Sequence, residues 1–118
     1  MDLTKAIEAH VQWKTKFRAA IQKQETMDAA TIGKDDCCEL GKWLHGNETQ
    51  KHRALASYKD AVTMHASFHK TAGQIATAIN AKKFADAEKM IAIGTDFASL
   101  SAAVGVALTR LKLDAKLQ

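Results

Sequence analysis

The chain has no proline, only two cysteines, few aromatic residues and no long uninterrupted apolar run, and each shortage removes a class of protein. Without proline the strongest local punctuation is missing, so element boundaries have to be read from glycine and polar clusters. The two cysteines, Cys37 and Cys38, are neighbours. A disulfide between them is strained and closes almost no loop, which excludes a disulfide-stapled secreted scaffold and predicts a reducing, cytoplasmic location. Asp2, Lys5 and Glu8 charge the first residues, so no signal-peptide core is present there. The most apolar tract, Met90 to Leu111, is broken by Thr95, Asp96, Ser99, Ser101 and Arg110, which reads as a buried helix rather than a membrane insertion. Lys and Arg outnumber Asp and Glu by 17 to 13, for a net charge of +4, yet the basic residues are scattered and only 6% of residues are aromatic. Solvated helix faces account for that pattern better than a nucleic-acid interface. There is also no glycine-rich phosphate loop, no His-Glu-x-x-His and no serine nucleophile motif, so no enzyme is expected.

What is present favours helix: Ala, Lys, Glu, Leu and Gln throughout. At 118 residues the chain suffices for one domain, 1–118, with a hydrophobic core. Ile7, His10, Trp13, Phe17 and Ile21 recur at helical spacing, predicting a first helix from about Leu3 to Gln24 capped by Asp2. Thr26 to Asp36 loses the periodicity and reads as a loop. Asp36 with Glu39 resembles a capping box opening a short helix that carries Leu40, Trp43 and Leu44 and stops at Gly46-Asn47, with Cys38 in its first turn. The helix dipole there favours a thiolate. A second long helix is predicted from Lys51 to Asn80, with His65 and His69 interrupting its apolar seam, and Asn80 with Lys82-Lys83 as the turn. A third runs from Phe84 to Leu113 and is apolar on more than one face, which predicts a homodimer. Gly94 and Gly105 are read as positions of close backbone approach. The sum is an all-α antiparallel bundle of three long helices plus one short one.

His65 and His69, at i and i+4, put two imidazoles on one helix face at a chelating separation. His10 sits on the seam of another helix and Cys38 on the short one, which makes four donors of the type zinc takes. Residue chemistry alone leaves this site and a hydrogen-bonded core pair both open, although three buried imidazoles without a metal or partners carry a desolvation cost. His45 and His52 flank the turn near Gly46 and are expected to be exposed. A hemerythrin-type di-iron centre is a rival, but no histidine is followed four residues later by Asp or Glu. A histidine phosphotransfer bundle needs an exposed histidine, and a plain helical interaction module needs no metal.

Cys38-Glu39-Leu40-Gly41-Lys42-Trp43 resembles the Cys-x-Leu/Phe-Gly-x-Trp signature of the chemoreceptor zinc-binding domain family. His10-Val11-Gln12-Trp13 is similar to its His-x-x-Trp element and His65-Ala66-Ser67-Phe68-His69 to its His-x-x-x-His element. The resemblance implies a helical, homodimeric module with one zinc per chain held by His10, Cys38, His65 and His69. It further implies an attached or associated output, in bacterial chemoreceptors or diguanylate cyclases, with responses to zinc or, through Cys38, to hypochlorous acid. Trp13, Leu40, Gly41 and Trp43 are read as packing that orients Cys38. Cys37 is not required by the signature and is read as a bystander.

Overall fold

Asp2 opens α1 (Leu3–Lys23), its side chain accepting from the Lys5 N–H at 3.1 Å in a computed structural model that describes residues 1–117. The predicted stripe is buried: Leu3, Ala6, His10, Phe17, Ala20 and Ile21 all face inward. Two further long helices complete the frame, α4 (Ala56–Asn80) and α6 (Asp96–Asp114). Phe17 of α1 and Phe68 of α4 meet Phe97 of α6 at ring-centroid distances of 5.7 and 5.4 Å, and this aromatic contact is the middle of the core. Early residues of α1 face late residues of α6, as in the Lys112 Nζ donation to Thr4 Oγ1, so α6 runs antiparallel to α1.

The all-α class holds, but the count of helices changes. Among the described residues there are six α-helices and one 3₁₀ helix, with no strand. The stretch read as a loop contains α2 (Ala29–Ile32), capped by Asp28. The predicted Lys51 start of the second long helix is occupied by the 3₁₀ helix Asn47–His52, and α4 begins only at Ala56. The third predicted helix is two: α5 (Phe84–Met90) and α6, separated at a turn where Gly94 takes a φ of 87° and Thr95 caps Ala98. Apolar spacing continues through this turn, which hides the break; the positive φ is the reason a glycine stands there.

Asn80 does not take the left-handed turn position, which falls to Lys82 with a φ of 63°. Its amide instead accepts from the Met27 N–H and donates to the Met27 carbonyl, both at 2.7 Å, tying the approach to α2 onto the end of α4. No helix is long and apolar enough to cross a membrane among the described residues.

Candidate metal centre

Cβ atoms on a helix tilt toward its N-terminus, so His10 on α1 reaches back over its own preceding turn. There its Nδ1 lies 2.7 Å from the Ala6 carbonyl. His69 on α4 directs its Nδ1 to the Ile32 carbonyl of α2 at 2.8 Å. A carbonyl can only accept, so both Nδ1 atoms carry the proton and both Nε2 atoms present lone pairs. Those two Nε2 atoms are 3.3 Å apart in a buried setting. His65, one turn before His69, brings its Nε2 to 3.2 Å from Cys38 Sγ, which is also 3.5 Å from His69 Nε2 and 3.9 Å from His10 Nε2.

Cys38 is the N-cap of α3 (Glu39–Leu44) rather than a residue of its first turn: its extended backbone aims Sγ inward while Sγ accepts from the Gly41 N–H at 3.3 Å. Gly41 is required for this, because a Cβ there would lie 1.8 Å from the Asp35 carbonyl oxygen. Leu40 and Leu44 are buried and hold α3 to the core, whereas Trp13 and Trp43 are half-buried at its edge.

Donor atoms of His10, Cys38, His65 and His69 lie within 4.8 Å of one another, with no carboxylate among them. Zinc bonds of about 2.0–2.1 Å to nitrogen and about 2.3 Å to sulfur set tetrahedral ligand atoms about 3.3–3.6 Å apart. The distances from Cys38 Sγ to the three Nε2 atoms and between the Nε2 atoms of His10 and His69, 3.2–3.9 Å, fall around that range. The Nε2 lone pairs of His10 and His69 face each other in a buried setting beside His65 Nε2 and Cys38 Sγ and repel unless a cation lies among them, so this donor set fits a soft or borderline metal ion.

Electrostatics point the same way. Burial, helped by the charge His69 and His10 would carry, pushes His65 down to about 3, which keeps it neutral and able to ligate. Burial also lowers His10, against the opposing pull of the Ala6 carbonyl. The Cys38 thiol is raised, chiefly by burial and in spite of the Gly41 N–H, so the helix terminus expected to make it a thiolate does not suffice without a nearby cation. The other two histidines lie outside the cluster. His45 is exposed and 3.0 Å from Asp35 Oδ2. His52, expected to be exposed, is buried at the end of the 3₁₀ helix.

Residues 10–76 match the chemoreceptor zinc-binding domain. The chain belongs to that family. The match spans more than half of the chain and runs from the first clustered histidine past the last, leaving α5 and α6 beyond it. No curated protein sequence and no solved structure matches the chain. Membership makes this a regulatory module of signalling with a three-histidine, one-cysteine cluster suited to a metal, and not an enzyme.

Three contributors to the cluster escape a reading of spacing alone. The Ala6 carbonyl follows from His10 by helix geometry and could have been anticipated. The Ile32 carbonyl could not, because α2 carries no periodic signal. Phe68, fully buried, packs edge-on against His10 and His69 at 5.2 and 5.6 Å between centroids and walls the site off from the core.

Proposed function

We propose that residues 1–118 form one regulatory domain that binds a single zinc ion through His10 Nε2, Cys38 Sγ, His65 Nε2 and His69 Nε2, and that Cys38 is its oxidant-responsive ligand. The observation that carries this is the pair of Nδ1–carbonyl bonds, which turn the Nε2 lone pairs of His10 and His69 toward each other and toward Cys38. Bound there, zinc supplies positive charge and four bonds that join α1, α3 and α4. Four protein donors leave no position for an activated water, in keeping with a structural or sensing role.

The residues themselves suggest how release becomes a signal. The C-terminal end of α3 is fixed by Thr49 Oγ1, which donates to the Leu44 carbonyl at 2.9 Å, and by the Tyr58 hydroxyl donating to the same oxygen. Its N-terminal end is held through Cys38 together with the buried Leu40 side chain. Oxidised sulfur is a poor ligand, so oxidation of Cys38 frees one end of α3 while the other stays attached. α2 is shorter than α3, but only α3 has an end that depends on the Cys38 sulfur.

The domain pairs as a homodimer through α1 and α6 in this reading and passes its state to an attached or associated output. Support comes from Val106 and Leu113 on α6, 71% and 69% exposed, which line a mostly apolar groove with Ile7 of α1. Neither main rival has equivalent support. A di-iron centre lacks bridging carboxylates in the cluster. The clustered histidines are at most 4% exposed and cannot be offered to a phosphodonor. Native mass spectrometry with elemental analysis, on protein purified without added metal, tests the whole reading. One zinc per chain in a dimer is expected; a metal-free chain, or two irons, overturns it.

A further inference from the structure

We infer that His65 is the weakest of the three imidazole ligands and the first to let go in metal exchange, a step that rests on the four-donor site proposed above. The three rings are not held alike. His10 Nδ1 has the Ala6 carbonyl at 2.7 Å and His69 Nδ1 has the Ile32 carbonyl at 2.8 Å. His65 Nδ1 is buried as well, in a side chain fully removed from solvent, yet it has no hydrogen-bond partner among the described residues.

A neutral imidazole carries one ring proton, and ligation through Nε2 leaves that proton on Nδ1. On His10 and His69 the proton meets a carbonyl, which fixes the ring and makes its Nε2 lone pair a stronger donor. On His65 the same proton meets no acceptor in a place closed to water, so a metal bond at this ring carries the cost of an unsatisfied buried donor. What positions the His65 ring is its neighbours: Cys38 Sγ 3.2 Å from Nε2, and the rings of His69 and His10 packed edge-on at 4.5 and 5.0 Å between centroids. None of these accepts the Nδ1 proton. When the His65 bond opens, His10, Cys38 and His69 still join α1, α3 and α4, and the open position admits a water or an added imidazole. Metal then enters and leaves at His65 without the three helices parting.

The ranking is tested by the zinc affinities of His10→Ala, His65→Ala and His69→Ala, measured by competition with a chelator in chains whose metal-free helicity matches the parent. His65→Ala is expected to lose at least about tenfold less affinity than either of the others, because an orienting partner is worth about 10–100-fold. Cobalt-loaded His65→Ala is expected to keep the visible bands of a four-coordinate centre, with solvent or added imidazole in the open place, a signature that a general loosening of the fold would erase. A smaller difference in affinity, or the reverse order, overturns the ranking even where the parent holds one zinc per chain. If an alanine variant does not fold, the zinc-loaded parent decides. NMR of its ring Nδ1 protons is expected to show two shifted downfield by a carbonyl and one, that of His65, unshifted; three alike overturn the ranking. A parent chain that holds no zinc overturns the function proposed above and the ranking with it.

Discussion

At the residue scale the four donors differ in kind, and Cys38 is the one whose removal discriminates. Three imidazoles keep their positions through helix packing, and Cys38 supplies the single sulfur of the cluster. In a competition titration, Cys38→Ala is expected to lose zinc affinity by well over the roughly 10–100-fold typical of losing a supporting residue. Cys37→Ala, at an exposed side chain near only Asp36, is expected to stay within about twofold. A loss below about tenfold for Cys38→Ala contradicts the assignment. That these residues cluster was legible in part: the three histidines interrupt apolar stripes, where a polar residue has to be satisfied, and Cys38 opens the short helix. Which atom of each ring faces the cluster was not legible. That depends on carbonyl partners, and the Ile32 carbonyl comes from a helix that spacing does not announce.

At the scale of elements, α2 supplies an orienting group and two glycines let it approach. A Cβ on Gly73 would sit 2.7 Å from the Gly33 Cα, so α2 and α4 touch backbone to backbone immediately beside the His69–Ile32 bond. Gly73→Ala is expected to push α2 outward, weaken zinc binding by about tenfold as an outer-shell loss does, and cost about 1–3 kcal/mol as overpacking. Zinc titration and urea unfolding measure the two effects separately; unaltered affinity with reduced stability removes α2 from the site. Gly94 and Gly105, singled out by sequence for close approach, serve otherwise. Gly94 turns the chain, and a Cβ on Gly105 would meet only Ile7 Cγ2 at an ordinary 3.7 Å. Single-chain patterns show where glycine occurs but not what lies opposite it, which is why α1 was read almost to the residue while α2 and the α5–α6 break were not.

At the scale of the molecule, the long helices bury their inner stripes fully and leave apolar surface on the outside of α6. The surplus of apolar positions on this segment was visible in the sequence, since no single helix face could accommodate them all. Val106→Asp places a charge in the middle of that surface and is expected to convert a dimer to monomers in analytical ultracentrifugation, with zinc content per chain unchanged. A parent chain that sediments as a monomer, or a variant that remains dimeric, removes the α1–α6 groove as the interface.

The fixed attachment of α3 at Leu44 turns a change of bonding into a displacement. Six residues of helix span about 9 Å, so a tilt of about 20° about the Thr49 and Tyr58 end carries the other end through about 3 Å. In the proposed mechanism a lever that short would convert one atom of oxygen added to sulfur into a movement comparable to the width of a methyl group, delivered against the first turns of α1.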